Sequence, residues 1–361
     1  MKQVSWRTEK DAVFVEARAL HRPLFVLFAC PKEKRAAPIL RAESPALAHL
    51  LTERFLSVHY SSLKGIDLSL FPFDYEQQLM GLVLTPLGTT LARWGGRDQG
   101  SVASLVAFLT RVQAIPWPKE IPPARPGQTI AQRYPRFART PRAAEACYHC
   151  HYAQDAAITE QLAAKTFQKL SLYRYPPPSV LGLTLGDDNQ VLALAPGSPA
   201  QKAGLHVGER LARLNDKSLY SAADLSYALD ALPAATRTLS LNGKRLTLPK
   251  NWRTYDISSR PSQGLVPPLF GFWEEPASGS KTLALKVTFL FTGERWRASQ
   301  GDLRVGDIIV AVDNKTLPQM SASQFHTWLR MNKEVGQSVT LTVLRDGKRL
   351  LIALPCLALD G

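Results

Sequence analysis

The sequence predicts a multidomain chain of mixed class: an α/β unit, a helical linker segment and two mainly-β modules. Three observations carry this expectation. Helix-like and strand-like stretches alternate from Trp6 to Val112, proline and arginine then accumulate up to Pro141, and beyond residue 176 a set of turn and strand strings occurs twice, imperfectly. The expected divisions are residues 1–115, 116–176, 177–255 and 256–361. A chain of 361 residues is long enough for several units that each bury a core.

In the first division, Asp11–Leu20 reads as a helix, Leu24–Phe28 as a buried strand, Pro45–Arg54 as a helix and Phe55–Tyr60 as a strand. Gly81–Leu84 and Thr89–Arg93 form a hairpin pattern around Pro86-Leu87-Gly88, and Ser101–Val112 reads as a helix. This α-β-α-β-β-β-α order resembles a thioredoxin-like domain. Arg22-Pro23 leads into the first central strand, and Thr85-Pro86 stands where that family often has a cis-proline. The sequence departs from the family in its thiols, because Cys30-Pro31-Lys32-Glu33 holds one cysteine without a resolving neighbour. Disulfide exchange needs both an attacking and a resolving thiol. Cys30 is therefore either a partner-forming or peroxidatic thiol or a structural cysteine.

The sharpest chemical motif is Cys147-Tyr148-His149-Cys150-His151. This is the attachment spacing of a covalent haem c, with Cys147 and Cys150 as thioether anchors and His151 as proximal iron ligand. With so few cysteines and histidines, chance placement gives the string in roughly 6 of 10,000 such chains. Two other chemistries use the same residues: a zinc clip completed by His149 or His151, and a Cys147–Cys150 disulfide. No methionine follows the motif before Met320, so the sixth position is left to His149, His59, His206, His326 or an open site. Ala143 to about Leu172 is helix-compatible. That stretch is too short to be an independent domain, so the motif is expected to pack against its neighbours.

Composition narrows the class further. The chain has 44 basic and 30 acidic side chains, a net charge of +14. Part of the excess lies between Trp117 and Cys147, in Lys119, Arg125, Arg133, Arg136, Arg139 and Arg142 against Glu120 and Glu145, and reads as a solvated linker. No nucleic-acid motif accompanies it, so no nucleic-acid partner is expected. No apolar run approaches the roughly 20 residues of a membrane span. There is no serine-protease constellation, Walker-type phosphate loop or H-E-x-x-H string. Haem attachment implies an exported or periplasmic protein, yet Lys2, Arg7, Glu9, Lys10 and Asp11 occupy the place of a signal core, and Leu27-Phe28-Ala29-Cys30 follows too short an apolar stretch for a lipoprotein site. The expectation is an upstream signal that this sequence does not include.

The C-terminal half carries the duplication. Leu181-Gly182-Leu183 precedes Pro196-Gly197-Ser198-Pro199-Ala200, Ala203-Gly204-Leu205 and Val207-Gly208-Glu209. Later, Leu303-Arg304-Val305-Gly306-Asp307-Ile308-Ile309 leads to a closing hairpin at Arg345-Asp346-Gly347-Lys348. These strings resemble two PDZ modules of the bacterial type. The resemblance implies that protein or peptide C-termini bind by strand addition. In the first module the implied site is Val180, Leu181, Gly182, Leu183, Thr184 and Leu185, faced by Leu225 and Leu229 of a helix over Ala222–Leu229. In the second, the helix is Ser323–Leu329, and Leu269-Phe270-Gly271-Phe272 competes with Gly264-Leu265-Val266 as the loop.

The order of parts is similar to the thioredoxin-like/PDZ proteins, some of them selenoproteins, of planctomycete-type bacteria. Asp67–Tyr75, Ala92–Asp98, the Cys147–His151 motif and Tyr175–Leu185 carry that likeness. It implies an architecture, whereas an activity is expected from the site residues. The reading is a haem-bearing redox or sensor protein that recruits protein partners through its PDZ modules and exchanges electrons with a redox partner. Its rivals are a peptide-binding scaffold with a zinc or disulfide clip, and a thiol redox protein using Cys30.

Overall fold

The computed structural model describes residues 4–30, 32–96, 100–117, 127–277 and 279–358. The chain divides into two compact units, Met1–Glu160 with Tyr173–Tyr255, and Gln161–Leu172 with Asp256–Gly361. It is a mixed α/β protein with several sheets, and among the described residues no helix is long and apolar enough to cross a membrane.

The first unit begins with α1 (Ala12–Ala19), β1 (Leu24–Ala29), α2 (Ala36–Leu40) and α3 (Pro45–His49), which runs on through a π-turn to Arg54. There follow β2 (Leu56–Tyr60), β3 (Leu79–Leu84), β4 (Thr90–Gly95) and α4 (Val102–Val112), whose first turn is capped by the Ser101 hydroxyl. The sheet order is β2-β1-β3-β4, with β1 parallel to β2 and antiparallel to β3. All six side chains of β1 are buried because both faces are covered. Phe25, Leu27 and Ala29 join Ile39, Leu47, Leu105 and Phe108 from the helices, while Leu24, Val26 and Phe28 face α1 and a loop rich in aromatics. Phe28 is centred there, 4.8 Å from Phe73, 5.2 Å from Phe71 and 5.5 Å from Tyr60 between ring centroids.

The β3–β4 hairpin corrects one expectation. Among the described residues the cis bond is Pro267–Pro268, so Thr85–Pro86 is trans. The cause is local: Gly88 N donates to Thr85 O at 2.9 Å, making Pro86 the second residue of a β-turn that its fixed φ suits.

In the linker Arg133, Arg136 and Arg139 are solvent-exposed, as expected of a solvated run, but the segment that carries them is folded onto the sheet. Its described part contains α5 (Ile130–Arg133), two 3-10 turns at Phe137–Arg139 and Pro141–Ala144, and α6 (Tyr152–Ala163). Ile130 and Phe137 are buried against the β1 face, Gly127 N donates to Asp67 Oδ2, and Arg136 pairs with Glu160. Lys119, Glu120, Arg125 and the Arg97-Asp98 pair lie outside the described residues. A continuous helix from Ala143 does not form. Tyr148 N donates to Ser62 Oγ and Tyr148 O accepts from Leu63 N, so the motif's backbone is already bonded to the loop after β2 and cannot serve a helix.

The rest of the first unit comprises β5 (Leu183–Leu185), β6 (Val191–Leu194), α7 (Pro199–Lys202), β7 (Arg213–Leu214), β8 (Lys217–Ser218), α8 (Ala222–Asp230), β9 (Thr238–Leu241) and β10 (Lys244–Thr247). A β5–β6 hairpin and a β10-β9-β7-β8 sheet close on one leucine-rich core with α8. The second unit holds β11 (Phe272–Pro276), β12 (Leu285–Leu290), α9 (Glu294–Ala298), β13 (Ile308–Val312), α10 (Ala322–Asn332), β14 (Ser338–Arg345) and β15 (Lys348–Pro355), with sheet order β11-β12-β13-β14-β15. Cys356 is fully buried in its core beside Phe325 and Leu354.

Candidate functional site

In the first unit the chemistry gathers on the Phe28 face of the sheet. Cys30 directly follows β1, and its Sγ lies 4.0 Å from His149 Nδ1. The Cys147–His151 loop reaches this place because Tyr148 is tied to Ser62 and Leu63, Cys147 Sγ sits 3.5 Å from Ser61 O, and Tyr148 and Tyr152 pack with Phe137. Cys150 packs on the same hydrophobic cluster. Burial pushes its thiol up to about 12, with the Cys30 and Cys147 sulfurs in electrostatic reach and acting in the same direction.

His151 is oriented from α6. Its Nδ1 is 3.0 Å from Asp155 Oδ2, one turn along, and Arg142 Nη1 reaches the same oxygen at 2.7 Å. A carboxylate partner makes Nδ1 the protonated nitrogen and leaves Nε2 with the lone pair, the arrangement in which an imidazole ligates a metal. The donor set therefore fits a proximal haem ligand. Among the described residues no group of three or more His, Cys, Asp or Glu is arranged to hold a metal ion. His59 pairs with Leu27 across β1–β2, so it belongs to the helix-covered face, opposite the motif; among the described residues its Nε2 is buried without a partner, and burial lowers its pKa. His206 is exposed and bonds Val207 O in its own turn.

The segment 177–255, expected from its sequence to be a first PDZ-like module, places its sequence-predicted residues unevenly. Leu181, Leu183, Leu225 and Leu229 are fully or almost fully buried in the module's core, Val180 and Leu185 are half-buried, and Thr184 is exposed. Gly182 ends a 3-10 turn with φ +80, and a Cβ there would lie 2.1 Å from Ser198 Cβ, so only glycine fits. Sequence reasoning missed the other side of α8. Ser221 Oγ donates to Arg93 O, Asp224 Oδ1 accepts from Arg93 N at 2.9 Å, and the Arg93 guanidinium lies 3.4 Å over the Tyr227 ring. The start of α8 is thereby fastened to β4.

In the second unit β11 is hydrogen-bonded on one side only, at the sheet edge, and α10 runs beside it. The segment Leu269–Gly271 leads straight into β11, whereas Gly264-Leu265 lies in the 3-10 turn Pro261–Leu265. Gly271 is held by Ser299 Oγ on its N–H and by Phe291 N and Gln300 Nε2 on its carbonyl; a Cβ there would approach Trp296 O at 2.8 Å. From α10, His326 Nε2 bonds Glu274 Oε2 at 3.0 Å, and Arg330 bonds Gln263 Oε1 at 2.7 Å. Burial brings Arg330 down to about 10, opposed by Glu274. Among the described residues Glu274 Oε1, His326 Nδ1 and Arg330 Nε are buried with no hydrogen-bond partner, a polar arrangement between strand and helix that the sequence strings did not signal.

Residues 297–355 match the family model of the PDZ domain, so the second unit carries a PDZ domain, a class of protein-interaction module. A solved HtrA-type protease, AlgW with a decapeptide, is similar at 17% identity over 32% of this chain and 36% of its own, with a TM-score of 0.22; the chain thus spans about a third of that protein's length. No curated protein matches the chain.

Proposed function

We propose that the chain recruits protein partners by their C-terminal peptides, which lie along β11 opposite α10 with the terminal carboxylate at Leu269–Phe272. The observation that carries this is an edge strand with a helix beside it and a rigid Leu-Phe-Gly-Phe segment at its start, in the unit that matches the PDZ family. Backbone pairing supplies affinity in such a mode, and the pockets between strand and helix supply specificity. His326, the partly exposed member of the His326–Glu274 pair between strand and helix, supports polar recognition of one peptide side chain. The test is a C-terminal peptide display screen on the full chain, followed by titration of the selected peptide. Amidating its terminal carboxyl is expected to weaken binding at least tenfold, about 1.4 kcal/mol, and unchanged binding would reject the reading.

In the same proposal the Cys147–His151 loop is a haem c site of an exported protein, on a domain read as thioredoxin-like from its β2-β1-β3-β4 sheet. The clamp of Asp155 on His151 supports this. Cys147 and Cys150 would hold the porphyrin and His151 Nε2 the iron; when bound, the group supplies one-electron chemistry toward a redox partner. The check is a pyridine haemochrome spectrum and haem-stained denaturing gel on chain exported with c-type maturation machinery. A covalent signal that disappears in Cys147→Ala and Cys150→Ala is expected; zinc, or no bound group, would leave a peptide-binding scaffold.

A further inference from the structure

We propose that Cys30 and Cys150 are the disulfide pair of a thiol-exchange centre, in which the Cys147–His151 loop supplies the resolving thiol that the segment after Cys30 lacks. The two residues are remote in sequence, but the fold joins them. Cys30 leaves the end of β1 on the face that carries Phe28 and Tyr60, and Cys150 packs on that same cluster. His149, next to Cys150, approaches the Cys30 sulfur to 4.0 Å. The loop is held there by Tyr148, bonded through both N and O to Ser62 and Leu63, so the proximity is built into the packing. Cys147 is turned toward Ser61 O, which leaves Cys150 as the partner.

The exchange balances with an external disulfide, of a protein or a small molecule, as oxidant. The half-buried Cys30 sulfur attacks it, forming a mixed disulfide and releasing one external thiol. Cys150 then attacks the Cys30 sulfur, the Cys30–Cys150 bond forms, and the second external thiol leaves. Two chain thiols are oxidised and one disulfide is reduced; run backward, the centre oxidises a partner dithiol. A sulfur in a thioether cannot also be in a disulfide, so the centre belongs to chain without attached haem.

The test uses the full chain made in a host without c-type maturation, with absence of a Soret band as the check. The protein is equilibrated across glutathione/glutathione-disulfide ratios, trapped with N-ethylmaleimide and mapped by mass spectrometry. The expected result is a Cys30–Cys150 cross-link, a fall from the four free thiols to two in denatured alkylation, full reversal by reductant, and retention of the cross-link in Cys147→Ser. A Cys147–Cys150 cross-link in the unmodified chain, or Cys30 still alkylated where Cys150 is oxidised, overturns it. Should Cys150→Ser not fold, the wild-type map and Cys30→Ser decide the matter. Peptide titration on the same samples separates this proposal from the peptide-binding one, because it reads only β11 and α10.

Discussion

The sulfur of Cys30 stands 4.0 Å from the imidazole Nδ1 of His149 although 119 positions separate them. The approach depends on β1 ending where the loop after β2 holds Tyr148. A change that loosens this loop acts on both sides of the contact at once.

Phe28→Ala is expected to cost about 3–5 kcal/mol, because it removes the ring on which Phe71, Phe73 and Tyr60 converge and leaves a cavity under the motif. Urea unfolding of the full chain measures it; a loss below about 1 kcal/mol would mean that the site collapses without strain.

Gly81→Val should destabilise by about 1–3 kcal/mol through overpacking. A Cβ at this position already lies 2.8 Å from Phe25 and 3.1 Å from Trp94, two rings fixed in a covered sheet face. The unfolding midpoint, compared with that of a Gly264→Val control, where the backbone is not left-handed and nothing lies within 4 Å of an added Cβ, checks it.

Burial pushes the Asp224 carboxyl up to about 7, against the pull of Arg93 and its backbone donors. The folded chain then keeps this proton over a range in which the unfolded chain, near 3.9, has lost it. The associated stability is complete below about pH 4 and is lost as pH rises through about 7. Asp224→Asn cannot titrate, so its deficit relative to the unaltered chain should be largest at low pH and shrink toward about pH 8. Urea midpoints across that range test the sign, and a deficit that grows with pH contradicts it.

His326→Ala is expected to weaken the selected C-terminal peptide by roughly tenfold and also to lower stability, since the ring packs on Phe270 and Phe272 and bonds the buried Glu274 carboxylate. Isothermal titration with a circular-dichroism control reads both quantities.

Much of the framework was legible because its signals are local. The apolar run Leu24–Ala29, the Pro86-Leu87-Gly88 turn and the serine caps before α4, α8 and α10 each specify their element through neighbours in sequence. The helix expected from Ala143 failed for the opposite reason. Its backbone groups at Tyr148 are claimed by Ser62 and Leu63, some 86 positions away, and no pattern within the segment reports that. The same holds for the polar trio of Glu274, His326 and Arg330, which comes from two elements, and for Leu225 and Leu229, where an apolar helix face serves the core of its own module. For His151 the signal was present: an aspartate four positions on, at one-turn spacing.

The bond from Ser221 to Arg93 O and from Arg93 N to Asp224 has a consequence for how this protein can fail. Exposed strand edges recruit other chains, and β4 is one border of its sheet; the other border, β2, is met by Arg7, which bonds the backbone of Ser57 and His59. Side chains from α8 occupy the outward backbone groups in the middle of β4. A fragment ending before Tyr175 would bare them, and such a truncation should self-associate through β4 where the whole first unit does not.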